Sequence, residues 1–297
     1  MPKRVSPRGA VAAVVLVLVL AAGAATWMLT SRTEPTTRRP TGPGTAELAK
    51  HLPFFGLLYE RTAAQTQVAE AQRRLAVDCM AQHGFTYRPV PVAKPTGSPD
   101  EQPTTFGLES LTPPRTAPHT AAPVEEPHDP AFARALFGDP DKRISAAGKT
   151  IRVTRPADGC QAEAEQRLLG SDRPHWLQYR IQLADGEKEA RQQLEQDPEF
   201  RTVTERWRRC LHDAGYDQKD PAALMYGLPR DTDFAHNPLA QADVRCKEDT
   251  GYLTTAYTRL DAAQKSWLTQ HSALLTSWNA LQLRQEKSAR EVLGVRS

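Results

Sequence analysis

The sequence lacks the short motifs by which most enzyme active sites are recognised. It contains no HExxH or HxH metal spacing, no GxSxG or SxxK nucleophile motif, and no Walker A, GxGxxG or EF-hand loop. The four cysteines include no CxxC pair, which argues against a zinc site and against a thioredoxin-like centre. We therefore expect no cofactor and no metal, and an enzyme is the less favoured class of function.

The chain also lacks an excess of charge outside its first eight residues. The formal net charge is +3, and residues 1–8 carry three positive charges and no acid. Because residues 9–30 carry no charge, residues 31–297 are neutral overall. A neutral domain has no general electrostatic attraction to nucleic acid or to anionic wall polymers, so we expect no nucleic-acid partner.

One long uncharged run, residues 9–30, organises the rest of the chain. As a helix it would measure about 33 Å, enough to cross a hydrocarbon core of about 30 Å. The basic residues of 1–8 favour a cytoplasmic N-terminus. Everything after the run would then lie on the extracytoplasmic side of the membrane. The run continues past a possible cleavage site at 22–24 to Trp27, which favours an uncleaved signal anchor. The alternative is a signal peptide that is cleaved to release a secreted protein.

Two stretches with few apolar residues interrupt the remainder. Residues 31–45 are rich in proline, threonine and glycine, and we interpret them as a flexible tether. Residues 46–297 would form the extracellular domain, with a disordered proline-rich insertion at 88–127. The insertion contains three apolar residues that are candidates for docking on the domain: Phe106, Leu108 and Leu111.

Helix start signals recur after residue 127. An Asp or Asn followed by proline supplies a side-chain cap and a residue that needs no N–H partner. The four examples are Asp129-Pro130, Asp197-Pro198, Asp220-Pro221 and Asn237-Pro238. Glycines mark matching ends at Gly138, Gly215 and Gly227. Asp158 with Gln161 resembles a capping box for a helix that ends at Gly170.

Apolar periodicity predicts an all-α domain. Stripes with helical spacing run through residues 61–82, 198–214, 238–257 and 262–293. Residues 46–59 are a further candidate helix that turns at Pro53. Only residues 150–154 alternate as a strand would.

A short motif, C-[ML]-x3-G-[FY], occurs twice, at 79–85 and at 210–216. In each copy the cysteine lies near the end of a predicted helix, which the glycine closes while the aromatic folds back. Each copy is followed by one more cysteine, so Cys79–Cys160 and Cys210–Cys246 is the simplest of three possible connectivities. Disulfides would suit an oxidising compartment and a small helical domain.

With the uncharged run and the Pro/Thr tether, this motif resembles uncharacterised membrane-anchored or secreted envelope proteins of actinobacteria. The resemblance covers the overall layout and the cysteine motifs. It implies location in the cell envelope, and it supplies no activity and no catalytic residue.

The histidines and acidic pairs that could belong to an active site are interpreted as helix caps or surface residues. His83 and His212 lie near predicted helix ends, where a positive charge caps the helix dipole. The acidic pairs Glu125-Glu126 and Glu187/Glu189 lie in polar segments and are interpreted as solvated surface.

The aromatic residues suggest two possible interaction surfaces. Trp267 and Trp278 share the stripe of the last predicted helix, which favours a core role, with a partner-binding face as the alternative. A concave site lined by Trp207, Tyr216 and Tyr226 would instead favour a ligand-binding module.

The sequence thus favours a disulfide-stapled helical domain behind an N-terminal transmembrane helix, acting as an interaction or accessory protein of the cell envelope. Its partners would be the membrane and another envelope protein. The alternatives are an envelope hydrolase, which a pocket joining a histidine to a carboxylate would favour, and a module that binds small ligands or wall fragments.

Overall fold

The computed structural model describes residues 52–92, 105–112, 129–229 and 231–295. These residues belong to one of two compact units, Pro43–Ser297. The predicted membrane segment 9–30 and the tether 31–45 lie outside the described residues. Within the described ranges, no helix has both the length and the apolar character needed to cross a membrane.

The described residues are mostly helical, with one small β-hairpin. In chain order the elements are α1 (Pro53–Leu58), α2 (Ala63–Gln82), α3 (Pro130–Phe137), β1 (Arg143–Ala147), β2 (Arg152–Pro156), α4 (Cys160–Leu169), a 3-10 turn (Gly170–Asp172), α5 (Arg173–Gln196), α6 (Pro198–Asp213), α7 (Pro221–Gly227), α8 (Pro238–Thr250), α9 (Tyr252–Gln270) and α10 (Ser272–Leu293).

The four Asx-Pro signals all begin helices, as predicted. The side chains of Asp129, Asp197, Asp220 and Asn237 accept hydrogen bonds from backbone N–H groups of the first turns of α3, α6, α7 and α8. The predicted capping box at Asp158 is wrong. Helix α4 begins at Cys160 after Gly159, and the Asp158 carboxylate instead accepts from the N–H of Asp139, at 2.7 Å.

The prediction of an all-α domain gave no hairpin, although residues 150–154 overlap β2, and no helix for α5; it also placed one helix break, between 257 and 262, where the structure has none. Strands β1 and β2 pair antiparallel, and Ala146 packs against Leu177 and Ile181 of α5. The predicted helices 238–257 and 262–293 are three helices, because the chain breaks at Gly251, which has φ of 67°, and at His271. Nothing in the sequence between 257 and 262 ends a helix, so α9 runs straight through.

The two disulfides have the predicted pairing. Cys79–Cys160 joins the end of α2 to the start of α4, and Cys210–Cys246 joins α6 to α8, with Cα atoms 5.5 and 5.7 Å apart. Such bonds persist in an oxidising compartment outside the cytoplasm.

Both copies of the repeated motif close their helices in the same way. The N–H of Phe85 donates to the carbonyl of Met80, and the N–H of Tyr216 donates to that of Leu211, each at 2.9 Å. The glycine before each aromatic has φ of 83° or 90°, which completes a Schellman cap.

Residues 105–112 of the predicted insertion are docked on the domain. Phe106 and Leu108 are buried in the cluster that joins α6, α8 and α9, and Leu111 packs against it. The Lys247 ammonium donates to the Leu108 carbonyl at 2.6 Å and to the Asp243 carboxylate at 2.7 Å. The suggested docking is confirmed, and this buried cation holds the segment in place.

A second apolar cluster joins α1, α5, α9 and α10 around Phe54, Leu183, Trp267 and Trp278. The hairpin lies on α5 beside this cluster. A pocket remains between the hairpin turn, α5 and the corner between α9 and α10.

Candidate functional site

This pocket, called the His271 pocket here, has a volume of about 310 Å³. The size is at the lower end of the range for sites that bind small molecules. The hairpin turn forms one wall, α5 the floor, and the corner between α9 and α10 the other wall. The lining residues are Ala147, Gly148, Lys149, Gln178, Gln182, Asp185, Glu189, Trp267, His271 and Leu274.

Helix α5 contributes a polar stripe to the pocket. Gln178, Gln182, Asp185 and Glu189 follow one another at steps of four, three and four residues, so they share one face of the helix. Apolar residues on the other sides, such as Leu183 and Leu194, are buried in the core. The stripe faces the hairpin, where Gln178 donates to the Ala147 carbonyl and Asp185 accepts from the N–H of Lys149.

Asp185 fixes the hairpin turn. Its carboxylate accepts from the backbone N–H of Lys149 at 2.6 Å and from the Thr150 hydroxyl at 3.0 Å. Gly148 lies so close to this carboxylate that a Cβ at that position would overlap it. The turn and helix α5 are thereby held in one arrangement, which defines one wall of the pocket.

Glu189 joins the hairpin to α9. Its carboxylate pairs with the Lys149 ammonium at 2.6 Å and accepts from the indole N–H of Trp267 at 2.9 Å. These two hydrogen bonds, from Lys149 and then from Trp267, lower the pKa of the Glu189 carboxyl below its usual value. Glu189 is therefore an anion at neutral pH. Its interpretation as solvated surface is wrong, because its carboxylate is bonded to Lys149 and to Trp267.

The Trp267 ring lies between α5 and His271. The imidazole stacks on it with ring centroids 3.7 Å apart and planes 12° from parallel. On the α5 side, Gly186 leaves room for the ring, since a Cβ there would lie 2.5 Å from two ring atoms. A glycine in the middle of a long helix can have such a packing reason, and Gly186 is the sequence signal that could have pointed to this site.

His271 is the residue between α9 and α10, and it lines the pocket. Its Nδ1 lies 2.8 Å from the Trp267 carbonyl oxygen. Since a carbonyl can only accept, Nδ1 carries a proton and donates it to this oxygen. Within the described residues no hydrogen bond to Nε2 is present, so this nitrogen is available to a ligand.

The pocket has a slight negative charge. Apart from His271, the charged lining residues are Lys149, Asp185 and Glu189, which sum to minus one. Both carboxylates are already hydrogen-bonded to protein donors, whereas the exposed Gln182 amide lies at the opening. The arrangement offers amide, imidazole and carboxylate groups beside an apolar surface that includes Leu274.

The core role favoured for Trp267 and Trp278 is confirmed, and the alternative, a partner-binding face, is not exposed. Trp278 is 1% exposed and Trp267 is 4% exposed, so both belong mainly to the core, and Trp267 reaches the pocket only as part of its wall. The predicted ligand site is also not assembled. Trp207 is fully buried and donates to Asp243, whereas the Tyr226 side chain is 79% exposed. Tyr216 is half-buried and packs on the core, so the three rings form no concave site.

Other candidate residues have structural contacts. His83 and His212 are exposed near the ends of α2 and α6, and Glu187 accepts from the Tyr59 hydroxyl at 2.6 Å.

A larger groove of about 640 Å³ lies along α6 and contacts Tyr252. Its Arg208 is bonded to Glu205 and to the Lys219 carbonyl.

Comparisons of this chain with protein-family models, with curated proteins and with solved structures found no match. The resemblance to actinobacterial envelope proteins therefore stays a prediction.

Proposed function

We propose that this chain is a membrane-tethered accessory protein of the cell envelope, and that its helical domain binds a small polar ligand in the His271 pocket. The observation that supports the proposal most directly is the convergence in one pocket of four polar side chains of α5 with His271 and Trp267. Concave sites with a few convergent polar groups and an apolar wall are the usual form of small-ligand sites.

The chemistry of the lining favours a neutral or cationic ligand that is rich in hydroxyl or amide groups. The net charge of minus one disfavours anions. The Gln182 amide both donates and accepts, and His271 Nε2 accepts, so these groups match hydroxyls and amides. An amino sugar or a short peptide with a free amine has this chemistry, and both occur as fragments of bacterial wall polymers.

The rigidity of the pocket supports binding as its role. The hairpin turn is held by Asp185, and the indole of Trp267 is held by Glu189 and by the stacked imidazole of His271. Side chains fixed before the ligand arrives lose little entropy when it binds.

The location proposed for this module rests on the sequence and on the disulfides. The uncharged run 9–30 supports a single-pass anchor with the domain outside, and the tether 31–45 would separate the domain from the bilayer. Two disulfides fit an oxidising compartment.

A thermal-shift screen of the full-length protein in detergent tests the binding role. The ligands are amino sugars, muropeptides and short peptides, each compared with its acidic counterpart. At a ligand concentration 100-fold above Kd, the folded state gains about 2.7 kcal/mol. For a domain of this size that corresponds to a rise in Tm of about 5–10 °C.

Two glutamine variants of α5 distinguish the pocket from the rest of the surface. Gln182→Ala removes the amide at the opening and should reduce the shift, whereas Gln193→Ala changes an exposed residue outside the pocket and should keep it. Equal loss in the two variants, or no shift with any of these ligands, would contradict the proposal.

A hydrolase is the second candidate, because the pocket joins a histidine to carboxylates. His271 has the tautomer of a general base, held by the Trp267 carbonyl as a third group. Turnover of a wall fragment that His271→Gln abolishes, while binding persists, would favour the enzyme. Binding without turnover favours the accessory role.

A further inference from the structure

The Cys79–Cys160 disulfide lies beside His83 and Glu163, two side chains of types that can bind a metal ion. His83 follows Cys79 by four residues, so both lie on one face at the end of α2. The ligand atoms of Cys79, His83 and Cys160 all lie within 4.8 Å of one another. An oxygen of Glu163, one turn along α4 from Cys160, lies 3.5 Å from the Cys79 sulfur.

The second disulfide serves as an internal comparison. In the repeated motif, the position that His83 occupies in the first copy is Ala214 in the second. His212 lies two residues after Cys210, is 80% exposed and has Asp213 beside it. The two motifs close their helices identically, so His83 is not required for the cap and distinguishes the first disulfide from the second.

We propose that reduction of the Cys79–Cys160 disulfide converts this position into a tetrahedral zinc site. The ligands would be the two thiolates, the imidazole of His83 and the carboxylate of Glu163. Two sulfur ligands with one nitrogen and one oxygen are a donor set that zinc accepts. The sequence spacing gave no indication of it, because the cysteines are 81 residues apart and only the fold brings them together.

The conversion balances with a dithiol as the reductant. A protein dithiol supplies two electrons and two protons, is itself oxidised to a disulfide, and leaves Cys79 and Cys160 as thiols. Zinc binding then releases one proton from each thiol, and the ion keeps the two thiolates together.

The geometry requires small movements only. Zinc bonds of about 2.0–2.3 Å hold tetrahedral ligand atoms about 3.3–3.8 Å apart, so the sulfurs separate from bonding distance while the His83 nitrogen moves inward. His83 and Glu163 are exposed and free to change rotamer, whereas Cys160 is buried. The ion thus enters from the surface and replaces the disulfide as the link between α2 and α4.

Cobalt is the probe, because tetrahedral cobalt with thiolate ligands absorbs strongly in the visible and near-ultraviolet. The full-length chain in detergent is reduced with a trialkylphosphine, which becomes the phosphine oxide, and is titrated with Co²⁺ without oxygen. We expect one tetrahedral cobalt per reduced chain, displaced by zinc, and none in the oxidised chain. The absence of tetrahedral bands in the reduced chain would overturn the proposal.

Two histidine variants assign the ligand. His83→Ala should weaken cobalt binding at least tenfold, whereas the matched His212→Ala should leave it unchanged. Equal binding in His83→Ala and the wild type would also overturn the proposal.

Circular dichroism covers the case in which reduction unfolds the chain. Zinc must then restore the helical signal in the wild type and in His212→Ala, and must fail to restore it in His83→Ala. Failure of zinc to restore the wild type would count against the site as firmly as the missing cobalt bands.

Discussion

Gly186→Ala tests whether Trp267 is seated against α5 as described. Glycine within a helix is less favourable than alanine by about 0.8–1.0 kcal/mol, so an unhindered substitution would stabilise α5. At this position, however, the new methyl group would meet three atoms of the Trp267 ring at 2.5–2.7 Å. The ring is held on its other side by His271 and at its N–H by Glu189, so it has little room to retreat.

The expected result of Gly186→Ala is a net destabilisation. Overpacking of a dense core costs about 1–3 kcal/mol. Set against the gain in helix propensity, the free energy of unfolding should fall by about 1 kcal/mol, and Tm by about 2–4 °C. Because the displaced ring forms a wall of the pocket, ligand binding should weaken as well.

Urea denaturation followed by circular dichroism measures the effect, with Gly56→Ala in α1 as the matched control. A Cβ at Gly56 would meet only a Glu60 oxygen, at an ordinary contact distance of 3.5 Å, so this variant should gain up to about 1 kcal/mol. If Gly186→Ala proved as stable as Gly56→Ala, the Trp267 ring would not be packed against Gly186.

Three further predictions concern stability. Lys247→Met leaves Asp243 buried without its cation and should cost about 3–5 kcal/mol in urea denaturation, and adding Asp243→Asn should recover part of this loss. Glu189 has a lowered pKa, so its contribution is complete above its usual pKa and is lost as pH falls through the lower folded value. Stability measured below about pH 4.5 should therefore fall less steeply in Glu189→Gln than in the wild type. Replacing both Cys210 and Cys246 by alanine opens a link across 36 residues and should cost about 4 kcal/mol in the same assay.

Local signals in the sequence predicted much of the helical framework. The Asx-Pro caps and the Schellman ends depend on neighbouring residues only, and each formed where it was expected. The capping box at Asp158 failed because a distant N–H, that of Asp139, took its carboxylate. The outcome at that position depended on a contact that no local pattern contains.

The His271 pocket was not predicted because its walls are distant in the sequence. Helix α5 has many polar residues, and the ones that face the hairpin, such as Asp185 and Glu189, look like solvated surface when read alone. His271 lay inside the predicted helix 262–293, and only the structure shows that a helix break occurs there. No helix was predicted over 173–196, so Gly186 was not recognised as the sign of a close approach.

The most direct test of the account is the binding isotherm of a disaccharide-peptide wall fragment, measured by calorimetry with the full-length protein and with Gln182→Ala. We expect saturable binding at one site in the wild type and affinity at least tenfold weaker in the variant. No measurable heat in the wild type, or identical isotherms for the two proteins, would contradict it.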